Sequence, residues 1–210
     1  MGHYLVSSCK LCRREGIKLM LKGIRCETAK CPIEKKQRNL APGMHGWRRG
    51  RSGEYAVRLR EKQKVKRYYG LFNRQFMRYF HKAERTKGNT GEVLLQLLER
   101  RLDNVVYKLN FAPSRKAAKQ LIAHGHIYVN GRKVNIGDYT TKIGDKITLK
   151  GSEKSIKKIK QQLESNPNFT TQSWLQLDRE KPEASIVALP TRDDIQIPVE
   201  EQLIVEFCSR

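Results

Sequence analysis

Acid is scarce at the front of this chain. Only six carboxylates stand among the first 90 residues, against 24 lysines and arginines. The net charge is +18 over residues 1–90, +9 over 91–160 and −5 over 161–210, which gives +22 in all. Such an excess repels itself, and a polyanionic partner is the simplest thing to neutralise it. Long hydrophobic runs are also missing. Hydrophobic residues make up 38% of the chain, and no stretch approaches the roughly 20 apolar residues that span a bilayer. No basic helix with an exposed apolar face stands out to lie on a membrane. A Gly-rich nucleotide loop and a convincing acid–base pair are absent too, which argues against an enzyme.

The first residues lack the apolar core of a secretory signal, and acid near the start argues against a transit peptide, so a cytosolic location is expected. Met1-Gly2 is followed by Val at position 6, where myristoylation favours Ser or Thr. Asn168-Phe169-Thr170 matches a glycosylation sequon; with no secretory signal, chance accounts for it. A length of 210 residues allows one large domain or two small ones with real cores.

Cysteine is sparse but unevenly placed: Cys9, Cys12, Cys26 and Cys31 fall early, and Cys208 stands alone near the end. The first pair is C-x-x-C and the second is separated by four residues. Two thiolate pairs so spaced can share one tetrahedral ion, in a segment with few apolar runs to build a core. A reducing cytosol disfavours disulfides, and a redox dithiol would leave the second pair unexplained. Four thiolates suit zinc and equally a four-iron four-sulfur cluster; the two-knuckle spacing favours zinc. Lys10, Arg13, Arg14, Lys18 and Lys22 surround the first pair, so this knob is expected to face RNA. Cys208 reads as a small packed side chain, since four ligands close a tetrahedral site.

Residues 32–53, rich in Pro, Gly and basic side chains, have no period and read as an irregular basic arm. There Trp47 stands beside Arg48 and Arg49, with Arg51 beyond, and the aromatic can stack or pack once RNA orders the arm. A helix is expected from Tyr55 to Tyr69, with Ser52 near its start and Gly70 at its end. Arg58, Arg60, Lys62, Lys64, Lys66 and Arg67 cover much of its circumference with Glu61 the single acid among them, a density that favours RNA over a merely solvated face. A second helix from Asn73 carries Phe76, Met77, Tyr79 and Phe80 as core, and a third begins at Thr90.

From Leu102, apolar residues at 105, 106 and 109 form one helical stripe. Ser114 is placed as the N-cap of a further helix that carries Ala117, Ala118, Leu121 and Ile122 inward until Gly125. Ile127-Tyr128-Val129, Asn130-Gly131 and a return strand from Val134 read as a hairpin. Arg115, Lys116, Lys119, Arg132 and Lys133 cluster where a phosphate backbone can lie. Beyond the hairpin, a helix from Ser155 to Glu164 and strands at 174–177 and 185–189 are expected, then an apolar and acidic tail from Val199 that folds back on the basic helices.

The run SRKAAKQLIAHGHIYVNGRKV resembles the small RNA-binding module named after small-subunit ribosomal protein four, which also occurs in pseudouridine synthases and some tRNA synthetases. With the four cysteines, APGMHG, YAVRLREKQKVKRYYG, ERRLDNVVYKLNF and EQLIVEFCSR, nearly the whole chain resembles the bacterial-type family of that ribosomal protein. The cysteines occur only in some members of the family, and residue 208 differs from the expected aromatic.

The resemblance implies a structural protein that binds a multi-helix junction in the five-prime domain of small-subunit ribosomal RNA early in assembly. It further implies a place near the channel through which mRNA enters, beside ribosomal proteins three and five, with an influence on decoding accuracy. Some members repress their own messenger, a role that does not carry over safely. The implied fold is α+β: a small helical bundle plus an αα-hairpin-β module with a small antiparallel sheet, and a metal knob at the N-terminus. The expected domains are 1–45 (cysteine knob and basic arm), 46–98 (helical, rejoined by 196–210) and 99–195 (module and sheet). No homo-oligomer is indicated. An RNA-modifying enzyme or a synthetase is the alternative owner of the module, but the flanks leave little room for a catalytic domain; a heat-shock-type ribosome-rescue factor would not need the cysteines.

Overall fold

A computed structural model describes residues 5–35, 38–47, 53–151, 153–164, 170–178 and 182–209. The chain divides into two compact units, 1–94 together with 197–210, and 95–196.

In the first unit, α1 (Ser8–Glu15) ends at Gly16 and a short 3-10 turn spans Gly23–Cys26. The expectation that this segment depends on its cysteines for a core is too narrow, because it buries Leu11, Leu19 and Leu21 alongside Cys12, Cys26 and Cys31. Scattered leucines, invisible as a run, meet once α1 turns back. Helix α2 (Glu54–Tyr68) starts one residue before its expected position, and Ser52, offered as its start signal, lies outside the described residues. Helix α3 (Asn73–Glu84) turns Phe76, Tyr79, Phe80 and Ala83 inward, a spacing of i, i+3, i+4, i+7. Helix α4 (Thr90–Glu99) crosses the boundary between the units. Leu94, Leu95, Leu97 and Leu98 of this helix are buried and Val93 is half-buried. In this unit the tail is helix α8 (Glu201–Cys208), packed on α2 through Ile204 and Phe207.

The second unit holds α5 (Leu102–Lys108), α6 (Arg115–Ala123), β1 (Ile127–Val129), β2 (Arg132–Lys133), β3 (Lys146–Leu149), α7 (Glu153–Glu164), β4 (Leu175–Asp178) and β5 (Glu183–Ile186). The five strands form one antiparallel sheet in the order β2-β1-β3-β5-β4. The stripe Leu102, Val105, Val106 and Leu109 is fully buried against Ala118, Ile122, Ile127, Ile147 and Trp174. Ser114 Oγ accepts from Ala117 N at 3.3 Å, the expected N-cap. Gly125 follows α6 at φ 77, and a side chain there would collide with Lys133 Cε and Nζ.

The strands differ from their expected positions: β4 spans Leu175–Asp178 where 174–177 is expected, and β5 starts at Glu183 where 185 is expected. The return strand starts at Arg132, because a two-residue loop sets Val129 opposite Arg132. Strand β5 ends at Ile186, after which Val187 still bonds Trp174 O at 3.0 Å but is exposed. Central strand β3 has no counterpart in the sequence reading; its alternation of buried Ile147 and Leu149 with Lys146 and Thr148 is too short to stand out.

Candidate nucleic-acid interface

Many of α2's bases are answered inside the first unit. Arg58 donates to Glu206 at 2.7 Å and to Glu54 at 2.9 Å. Glu15, with a side chain buried completely, meets Arg60 at 3.3 Å and pairs with Arg67. Burial pushes the Glu15 carboxyl up, against the opposing pull of Arg67 and Arg60. Lys64 pairs with Glu61. Lys62 is buried with its ammonium 4.9 Å from the Phe207 ring centre. Burial holds the Lys66 amine below its ordinary value, and repulsion from Lys62 and Arg67 adds to the fall. Of these six bases, Arg58, Arg60 and Arg67 thus meet carboxylates distant in sequence, Glu206 and Glu15, which a local count of charge does not include.

Arg13 Nε donates to Leu40 O at 2.7 Å and Arg14 to Pro42 O at 3.4 Å, tying α1 to the arm. Gly46 N bonds Gly43 O at 3.3 Å, so APGMHG is a turn; Met44 within it and Trp47 beside it are exposed. Arg48, Arg49 and Arg51 lie outside the described residues.

The module disposes of its charge differently. Arg115 is buried: Nε donates to Asn104 Oδ1 at 2.8 Å and the guanidinium sits 4.5 Å from the Tyr107 ring centre. Asn104 in turn donates to Glu99 Oε2 at 2.6 Å. Lys116, Arg132 and Lys133 are exposed and Lys119 is half-exposed. The structure brings Lys133 across Gly125 from the end of α6, and in register with Tyr128. Residues not singled out from sequence join this face: Lys150 lies 5.1 Å from the Tyr128 ring centre, and the His124 and His126 rings are 6.3 Å apart. Only the alternation of β1, which turns Tyr128 outward, hinted at them. The result is an exposed basic surface with aromatic and imidazole rings, suited to phosphates and unstacked bases.

The four early cysteines form no disulfide with one another. Burial pushes the Cys12 thiol up, a backbone bond at Leu19 opposes it, and Cys26, Cys9 and Cys31 add to the rise, so all four influence one site. Lys22 N donates to Cys26 Sγ at 3.3 Å. Among the described residues, no group of three or more Cys, His, Asp or Glu side chains is closed up as a metal site. The donor set itself suits a thiophilic ion. Among the described residues, no helix is long and apolar enough to cross a membrane.

Comparison with known proteins agrees with this architecture. The family described as ribosomal protein S4/S9 N-terminal domain matches residues 3–99, and the S4 domain matches residues 100–147. The chain is 54% identical to small ribosomal subunit protein uS4 of Halothermothrix orenii, 53% identical to uS4A of Symbiobacterium thermophilum and 52% identical to uS4 of Pelotomaculum thermopropionicum, in each case over the whole of both chains. The helical first unit, the αα-hairpin-β module and full-length similarity at this level make the chain a member of the ribosomal protein S4 family, that of small ribosomal subunit protein uS4.

Proposed function

We propose that this chain is an early assembly protein of the small subunit, one that binds a multi-helix junction in the five-prime domain of small-subunit ribosomal RNA and stabilises its fold. It is a ribosomal RNA-binding protein and not an enzyme, as its family membership implies, and it works on cytoplasmic ribosomes. The observation that carries the junction reading is the exposed bases of α6 and the hairpin, Lys116 and Lys119 on the helix and Arg132 and Lys133 on β2. A rigid array of this kind reads phosphate positions and helix shape rather than a linear sequence. Ribosomal proteins five and three and mRNA near its channel are the proposed neighbours, through which the protein contributes to decoding accuracy. It acts as a single copy.

Zinc held by Cys9, Cys12, Cys26 and Cys31 belongs to this proposal, with a four-iron cluster as the alternative. The ion would displace the thiol protons and link α1 to the turn at Gly23–Cys26. Elemental analysis of freshly purified, reduced protein should find one zinc per chain; iron with sulfide would favour the cluster, and no stoichiometric metal would refute both.

The decisive experiment measures binding to the isolated five-prime domain across a salt series, with unrelated structured RNA as competitor. Tight binding that survives competitor is expected. Equal loss to any RNA would overturn junction recognition.

A further inference from the structure

Asn130-Gly131 is the chain's one Asn-Gly dipeptide. It forms the whole loop between β1 and β2, with φ of 49 and 79. No heavy atom lies within 4 Å of where a side chain on Gly131 would begin. An asparagine followed by glycine is the most labile amide a chain carries, because no side chain shields the following nitrogen. That nitrogen, on losing its proton, attacks the Asn130 side-chain carbonyl carbon. The new N–C bond closes a succinimide, the bond to the amide nitrogen breaks, and ammonia leaves. Water then opens the ring at one carbonyl or the other, leaving aspartate or isoaspartate.

The fold opposes the first step. Asn130 Oδ1 accepts from Lys146 N at 2.9 Å and Nδ2 donates to Asp145 Oδ1 at 2.8 Å, while Asn130 N donates to Lys146 O at 2.9 Å. Both ends of the carboxamide are therefore tied across to the start of β3. Asp145 is itself buried, and its other oxygen accepts from Lys142 N at 2.7 Å. Closing the ring requires the carboxamide to leave both partners.

We propose that Asn130 is a site of spontaneous deamidation gated by its bond to Asp145: the intact hairpin holds it shut, opening of the tip releases it, and the product cannot return to the same pose. An aspartate at 130 has no amide protons to donate and sets a second carboxylate at hydrogen-bonding distance from Asp145. An isoaspartate adds a backbone carbon to a two-residue loop whose length sets Val129 opposite Arg132. Either product frees the tip that carries Arg132 and Lys133, so the modification acts once and in one direction.

The test incubates the full-length protein at mildly alkaline pH, folded and in urea, beside a folded Asp145→Ala variant. The peptide containing 130–131 is followed by mass spectrometry and by isoaspartyl methyltransferase labelling, and circular dichroism reports the fold. Folded wild type should deamidate about tenfold or more slowly than the chain in urea, since two hydrogen bonds must break first. The Asp145→Ala variant should recover much of that difference. Equal rates for folded and unfolded wild type overturn the proposal, as does a folded variant with the wild-type rate. Should the variant not fold, wild type in sub-denaturing urea replaces it: the rate must climb with denaturant, and a flat rate overturns the gate.

Discussion

Helix α2 and the stretch from α6 through the hairpin carry comparable runs of lysine and arginine, and they use them in opposite ways. On α2, Arg58, Arg60, Lys64 and Arg67 are paired with Glu54, Glu206, Glu15 and Glu61, and Lys62 is buried beside Phe207. On the hairpin, Arg132 and Lys133 are both exposed, Lys133 on the side of its partner Tyr128 and Arg132 on the side of its partner Val129. The difference teaches that a count of basic residues overstates the charge a partner can reach. Self-repulsion inferred for α2 is relieved within its own unit, by acids contributed from α1 and α8. The face of α6 and the hairpin keeps its charge outward, and of the basic residues expected there only Arg115 is turned into the core.

The largest effect should come from breaking the internal pairing. Among the described residues, Arg67→Ala leaves the fully buried Glu15 carboxylate with Arg60, at 3.3 Å, as its remaining ion-pair partner, and an under-compensated buried charge costs about 3 kcal/mol. Denaturant unfolding should show that loss at neutral pH. The penalty shrinks as pH falls: burial already pushes the Glu15 carboxyl up, so in the variant it takes a proton at a still higher pH and the buried charge disappears. A variant as stable as wild type would return Arg67 to the class of charges available to RNA.

Arg115→Ala sharpens the same contrast inside the module. It removes the donor to Asn104 Oδ1 and the cation over Tyr107, which should lower stability by about 2 kcal/mol in thermal or denaturant unfolding. A joint replacement of Arg115, Lys116 and Lys119 would mix this folding defect with any weakening of RNA binding, so the three belong in separate variants.

What was legible in the sequence was local. The stripe from Leu102 to Leu109, the Ser114 cap and the Asn130-Gly131 turn each lie within about two turns of chain, and the structure reproduces them. What was missed depends on distant partners. Glu15 meets residues 45 and 52 positions away, and Arg115 turns inward for an acceptor 11 positions back. The tail alternated too imperfectly to assign, and its helix is fixed by packing Ile204 and Phe207 on α2. For the site, residue types and neighbourhood were readable, whereas the side of the surface each charge falls on was not.

Asp194 supplies a smaller test within the second unit. Burial works to raise its carboxyl, but bonds from Thr191 N at 2.9 Å, Thr191 Oγ1 at 2.8 Å and Ser173 Oγ at 2.9 Å, with Lys108 nearby, hold it below the ordinary value of 3.8. A depressed folded value means stability that is present above 3.8 and lost as pH falls through the folded value. Asp194→Asn should therefore be less stable than wild type at neutral pH, by less than about 1 kcal/mol after solvent screening, and the two should converge in acid. A constant difference across pH would remove Asp194 as the titrating group.

The smallest effect on stability and the sharpest on function should come from Arg132→Ala and Lys116→Ala. Both side chains are exposed, and surface substitutions of this kind stay within about 0.5 kcal/mol of wild type. If their charges meet phosphates, each variant lowers the steepness of log K against log salt by about 0.7–0.9 for every phosphate it no longer neutralises, with the weakening similar for any structured RNA. Arg67→Ala should do the reverse, destabilising the fold while leaving the salt slope of the folded fraction in place. The pair of slopes and stabilities thus separates charge that builds the protein from charge that is offered to RNA. Unchanged slopes for both Arg132→Ala and Lys116→Ala would move the interface off this face, despite its exposure and its sign.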